Sequence, residues 1–236
     1  MNRIRYFLIF IVLGIAFSSC EKDNYDGPNA ELSGAFIDKD TKQPIAQDII
    51  SGTVIELIEH GYVTGQTNIT QTLVAKGDGT YQNSEIFAGK YLVRAVRGNF
   101  QNIAAIDTFE IKPGSNKLDF LVTPYIRVKD PTIVKTGNTV TATFKLEQTT
   151  TQNVTRIGLY VHPNPNVGQP MKLAFVETTL NRLATPTETF TITMNLDNFK
   201  SHTQLRPGEQ YYFRIGALSS ATSAKYNYAP PLRLTY

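Results

Sequence analysis

The sequence predicts an all-β protein of two β-sandwich domains, and three observations predict it. Beyond the N-terminal segment, no stretch carries the i, i+3, i+4, i+7 apolar stripe of an amphipathic helix. Short alternating runs rich in Thr, Val, Ile, Tyr and Phe recur instead, separated by Gly, Asn, Asp and Pro. The character of these runs changes at Val122-Thr123-Pro124-Tyr125, where a proline cannot continue a central strand. With 236 residues, 41% apolar and only 18% charged, the chain has the length and composition to build two cores.

Before the first strand lies an export address. Arg3 and Arg5 precede an apolar run of 11 residues, Phe7 to Phe17. That run is too short to span a bilayer, which needs about 20 residues, and suits a secretory signal. It ends in Phe17-Ser18-Ser19-Cys20, and Cys20 is the only cysteine. The segment resembles a bacterial lipobox, with Phe17 where an aliphatic residue is usual. The resemblance implies a lipoprotein signal peptide over residues 1–19, lipid attachment at Cys20 and anchoring in the outer membrane. Residues 20–29 are polar and non-periodic and read as a flexible tether. Their acidic positions, Glu21, Asp23 and Asp26, resemble the surface-export signal of Bacteroidetes lipoproteins, which implies a cell-exterior location. Loss of residues 1–19 removes two of the 23 basic side chains against 20 acidic ones. The mature chain is then close to neutral and has no field to steer nucleic acid.

Residues 30–123 form the first expected sandwich. Strands are expected near Leu32–Ile37, Thr53–Glu59, Leu73–Ala75, Tyr91–Val96, Thr108–Ile111 and Lys117–Val122, with a tight turn at Lys76-Gly77-Asp78-Gly79-Thr80. Around 90 residues with about seven short strands, six of them placed here, suit a sandwich. Gly34 to Asp38, Gln43-Pro44-Ile45, Asp78-Gly79-Thr80-Tyr81 and Gly89-Lys90-Tyr91-Leu92-Val93 follow an order that resembles carboxypeptidase regulatory-like (transthyretin-like) domains. The resemblance implies a non-catalytic module.

Residues 124–236 form the second. Alternation turns Val140, Ala142, Phe144 and Leu146 inward on one strand, and Phe190, Ile192, Met194 and Leu196 on another. Arg156–Val161 directs Ile157, Leu159 and Val161 inward, Gln210–Leu218 directs Tyr211, Phe213, Ile215 and Ala217 inward, and Leu232–Tyr236 closes the domain. The stretch Leu205-Arg206-Pro207-Gly208-Glu209-Gln210-Tyr211-Tyr212-Phe213-Arg214-Ile215 resembles the E–F corner of fibronectin type III domains. That resemblance gives Tyr211 the structural role of a tyrosine corner. It also makes the strands around Tyr160 and Tyr212 neighbours. Tyr160, His162, Tyr212 and Arg214 then share an outer face and form the candidate ligand surface, with cross-strand pairing or cover by the first domain as the competing reading. Few contacts are expected to cross the joint near Thr123-Pro124.

Catalytic motifs are missing. There is no G-x-S-x-G elbow, H-E-x-x-H, P-loop or G-x-G-x-x-G opening a helix. His60, His162 and His202 are scattered, and Glu56, Glu59 and Glu85 read as solvated carboxylates. Asp38, Asp40 and Asp78 have oxygen ligands to offer calcium, but Asp in turns caps its own backbone. No metal, cofactor or catalytic residue is assigned. Tryptophan is absent, which weighs against a strong sugar platform, a role in which tyrosine can substitute.

The order of lipobox, acidic tether and two sandwiches resembles two-domain Bacteroidetes surface lipoproteins of a family of unknown function. These are often encoded beside starch-utilisation-type (Sus-type) importers. This resemblance implies a non-catalytic accessory or binding subunit, capturing glycan or peptide for a TonB-dependent importer. A structural or adhesive protein with sandwich spacers remains open.

Overall fold

The computed structural model describes residues 26–64, 67–201 and 205–236. The expected signal peptide, Cys20, the acidic positions Glu21 and Asp23, and His202 lie outside the described residues. Within them the chain is all-β in two domains, with one 3-10 turn at Leu196–Phe199.

The first domain contains β1 (Ala30–Asp38), β2 (Val54–Thr64), β3 (Thr67–Val74), β4 (Thr80–Ile86), β5 (Gly89–Val96), β6 (Ile106–Ile111), β7 (Gly114–Lys117) and β8 (Phe120–Val122). One sheet has the order β4-β1-β7, with β8 continuing beside β1, and the other has the order β3-β2-β5-β6. Between them lie Leu32, Phe36, Tyr81 and Phe120 from one side and Ile55, Leu57, Tyr91 and Val93 from the other. Phe36 stacks against both Phe100 and Phe120 at 5.1 Å. In the turn before β4, Asp78 accepts the Thr80 N–H at 2.9 Å and Gly79 takes a φ of +88°. The run Lys117–Val122, expected as one strand, is two. The Asp119 carboxylate takes the Ala35 N–H at 2.9 Å in place of a ladder carbonyl, which breaks the pairing there. Strand β4 escaped sequence reading because only Tyr81 and Ile86 of its seven residues are buried.

The second domain contains β9 (Ile126–Thr136), β10 (Thr139–Gln148), β11 (Val154–His162), β12 (Ala174–Arg182), β13 (Thr189–Asn195), β14 (Gln210–Ser219), β15 (Asn227–Tyr228) and β16 (Leu232–Thr235). Sheet β13-β10-β9 packs on sheet β12-β11-β14, and β15 and β16 both pair with β14. The inward residues of β10 and β13 alternate as the sequence predicts. Tyr211 is buried, and its Oη accepts the Arg206 N–H at 2.8 Å. Strands β11 and β14 differ from the expected alternation. Residues 157–161 and 213–217 are buried without interruption, so both faces of this strand pair are covered.

The first domain lies beside that second face, and the joint between domains is dense in polar contacts. Asn99 is fully buried; its amide donates to the carbonyls of Ala46 (2.8 Å) and Tyr226 (3.1 Å) and its Oδ1 accepts from Gln47 at 2.9 Å. The Asn99 carbonyl accepts the Tyr125 N–H at 3.0 Å and the Asn227 side chain at 2.8 Å. Arg127 of β9 binds Asp38 of β1 through Nε (2.6 Å) and Nη2 (2.9 Å), reaches Asp40 at 2.5 Å, and pairs with Glu147. The expectation of few contacts at Thr123-Pro124 is therefore corrected. The sequence around the proline reads as a linker because the partners it meets across the joint, Asp38, Asn99 and Asn227 among them, lie far from it along the chain.

Two outcomes follow for stability. The protein is expected to unfold in one transition by circular dichroism and tyrosine fluorescence; two well-separated transitions would show that the interface contributes little. For Asp38, burial alone would raise the carboxyl pKa, but hydrogen bonds from Arg127 and the Asp40 N–H outweigh it and hold the group below the ordinary 3.8. Its contribution is present above pH 3.8 and lost as pH falls through the lower folded value. In urea titrations below pH 3.8, wild type loses more stability than Asp38→Asn; equal losses would remove Asp38 as the acid-sensitive group.

Candidate functional site at the domain junction

The site begins with the register of β11 and β14. These strands run antiparallel, with Tyr160 opposite Arg214 and His162 opposite Tyr212. The four side chains predicted to share a face are thus on neighbouring strands. Their exposure follows the competing reading, cover by the first domain, at two of the four. Tyr160 is 0% exposed and Arg214 2%, while Tyr212 and His162 are half-buried. Of the two readings of this face, the solvent-facing aromatic pair gives way to the covered one, because the first domain and the segment 226–228 close over it.

Two glycines make that closure possible. Gly158 and Gly216 face one another in the ladder. A Cβ on Gly158 would lie 2.4 Å from Tyr160 Oη, and one on Gly216 would lie 2.9–3.0 Å from the rings of Tyr228 and Tyr160. The sheet surface is therefore bare where the tyrosine rings rest on it. Tyr226 and Tyr228 stack at 5.8 Å, and Tyr160 meets both edge-on, at 5.9 and 6.4 Å. Tyr160 donates to Glu177 at 2.8 Å, and Tyr228 donates to Asp48 of the first domain at 3.1 Å. Burial pushes the pKa of all three phenols up, so they act as neutral donors at physiological pH.

Arg214 lies beneath this cluster. Its Nε donates to Ala229 O (3.0 Å), Nη1 to Val167 O (3.0 Å) and Gln47 O (3.2 Å), and Nη2 to Gly77 O (3.4 Å). Gln47 and Gly77 belong to the first domain. The guanidinium also lies 4.3 Å from the centre of the Tyr228 ring. Burial pushes its pKa down to about 10, which leaves it cationic at neutral pH. Tyr228 and Asp48 were not singled out from sequence; β15 is two residues long, too short for a periodic signal.

Two clefts open on the junction. The first, of about 280 Å³, is bordered by Asp38, Gln43, Pro44, Arg127, Tyr228 and Pro230. The second, of about 180 Å³, is bordered by Asp48 and Ser51 of the first domain and by Gln169, Lys225, Tyr226 and Tyr228 of the second. Tyr228 borders both.

The remaining candidates are engaged locally. Asp78 caps its turn, Asp38 and Asp40 hold Arg127, and Glu56 pairs with Arg94. His162 Nδ1 accepts the Asn164 N–H at 3.0 Å, and burial lowers its pKa. His60 Nε2 lies 2.6 Å from the Asp107 carbonyl oxygen. Among the described residues no group of three His, Cys, Asp or Glu side chains is placed to hold a metal ion.

Replacing Arg214 tests the junction. Arg214→Met strands four carbonyls and is expected to cost about 3 kcal/mol in urea unfolding. A loss below about 0.5 kcal/mol, the range of an ordinary surface substitution, would show that the buried guanidinium does not hold the domains together.

The N-terminal domain model of DUF3823, a protein of unknown function, matches residues 30–123, and the DUF3823 C-terminal domain model matches residues 126–233. Comparison with curated proteins finds no match. Among solved structures, a protein of Bacteroides uniformis ATCC 8492 described as a "putative carbohydrate binding protein" is 31% identical, with a TM-score of 0.80 over 89% of this chain and 100% of that one. DUF3823 family proteins of Bacteroides uniformis ATCC 8492 (18% identical, TM-score 0.72, 88% of this chain and 99% of that one) and Parabacteroides merdae ATCC 43184 (19%, 0.70, 89% and 100%) share the fold. No catalytic family is among the matches to family models. With both of its domains matched in order, this chain belongs to the DUF3823 family.

Proposed function

We propose that this chain is a non-catalytic outer-membrane lipoprotein, anchored through Cys20 and facing the cell exterior, that binds carbohydrate at the junction of its two domains. In this reading it serves a Sus-type TonB-dependent importer as an accessory subunit. The observation that carries the binding role is the second cleft. It combines Tyr226, backed by the stacked Tyr228 ring, with a hydroxyl and an amide from Ser51 and Gln169. Sugars present both chemistries at once, since a pyranose has apolar C–H faces for an aromatic ring and hydroxyls that need donors and acceptors. The likeness to a Bacteroides protein described as a "putative carbohydrate binding protein" supports the same reading.

Two measurements test it. In affinity electrophoresis on a polysaccharide panel, wild type is retarded by at least one glycan, and Tyr226→Ala, with an unchanged circular dichroism spectrum, is not. Retardation by no glycan, or equal retardation of both proteins, would count against a carbohydrate site here. In cell fractionation, Cys20→Ala moves the protein out of the carbonate-washed membrane. Retention there would refute lipid anchoring.

A further inference from the structure

The balance of charge around the second cleft carries the carbohydrate reading one step further. Three ionisable pairs or single charges border or back it. Asp48 has both oxygens committed: Oδ1 accepts the N–H groups of Ile50 (2.8 Å) and Ser51 (2.9 Å), and Oδ2 accepts Tyr228 Oη. On the far side of the Tyr228 ring stands the cationic Arg214, so the phenol separates one buried negative charge from one buried positive charge. That unit is electrically closed. At the outer edge Arg156 pairs with Glu177 at 3.2 Å, and Glu177 also accepts from Tyr160 and Tyr226. That pair is closed as well.

Lys225 is what remains. Its backbone N–H donates to Gly98 O of the first domain at 3.0 Å, which fixes the residue at the junction. Its ammonium has no ion-pair, hydrogen-bond or ring partner among the described residues, although the residue is half-buried and borders the cleft. The cleft thus offers an aromatic pair, polar groups and one uncompensated positive charge. Its volume of about 180 Å³ is below the roughly 300 Å³ at which small-molecule sites usually begin, so it has room for one ring and not for a chain threaded through.

Resting on the carbohydrate reading above, we propose that the second cleft takes the terminal uronic acid of an acidic glycan, with the sugar ring against the half-buried Tyr226, which Tyr228 backs, and its carboxylate on the Lys225 ammonium. A charge-assisted hydrogen bond in a half-buried setting supplies the preference for the acid over the neutral sugar. Ser51 and Gln169 are left for the ring hydroxyls.

The test is isothermal titration of the protein with galacturonate- and glucuronate-terminated disaccharides, each beside its neutral galactose- or glucose-terminated counterpart. The uronates are expected to bind about tenfold more tightly than the neutral sugars, with the advantage shrinking as salt is raised. Lys225→Met, checked for folding by circular dichroism, abolishes the advantage, so that the uronate binds no more tightly than its neutral counterpart, while Lys225→Arg retains it. Equal binding of acidic and neutral sugars, or a preference that survives Lys225→Met, would overturn the uronate assignment and leave carbohydrate binding standing. Glycan retention in electrophoresis that Tyr226→Ala leaves intact, with no uronate binding in the titration, would move the glycan site elsewhere and overturn this proposal. Failure of every sugar in both assays would overturn both readings, as would binding of an acidic peptide in their place.

Discussion

A buried guanidinium with no carboxylate against it holds this molecule together. Arg214 donates to four backbone carbonyls, two in each domain, and carries Tyr228 on its face. Taking a charge out of water is costly, and burial lowers the Arg214 pKa to about 10. The cost is offset only when all four acceptors are in place together. Two of them, Gln47 O and Gly77 O, arrive with the first domain, and in a separated second domain water would have to take their place. That asymmetry makes docking specific, because no sliding of one sandwich over the other keeps both sets of carbonyls within reach.

The rest of the interface follows the same logic. Asn99 uses donor, acceptor and backbone carbonyl to connect Ala46, Gln47, Tyr125, Tyr226 and Asn227, and Arg127 gathers Asp38, Asp40 and Glu147. An apolar joint of similar extent would tolerate many orientations, whereas this one specifies a single orientation. Both clefts are products of it, since each is lined from both domains. Site geometry is therefore a property of the docked pair and of neither sandwich alone.

Much of the fold is legible in the sequence because strand periodicity is a local property. Val140, Ala142, Phe144 and Leu146, and Phe190, Ile192 and Met194, alternate against water, and their inward faces can be read directly. Strand β4 and strand β12 are harder, since few of their residues are fully buried and their polar positions mask the pattern. The site was legible only in part. Alternation correctly puts Tyr160, His162, Tyr212 and Arg214 on one face, but whether that face meets water depends on a domain whose position no local pattern encodes. The sign that was available is the pair of glycines, Gly158 and Gly216. In strands otherwise rich in large residues, a glycine marks a place where another group comes close, and here that group is a pair of tyrosine rings.

The two clefts share the Tyr228 wall, yet their chemistry separates them. In the larger, Arg127 is consumed by three carboxylates, and Asp38 by Arg127 and the Asp40 N–H. A ligand entering there must compete with charge-assisted bonds already formed, so it gains little from the polar groups it meets. In the smaller, the charges that could compete are closed off beneath or beside the aromatic pair, and Lys225 is left without a partner among the described residues. Volume alone would favour the first cleft. Uncommitted donors beside an aromatic face favour the second, because only a group not already satisfied adds binding energy when a ligand replaces water.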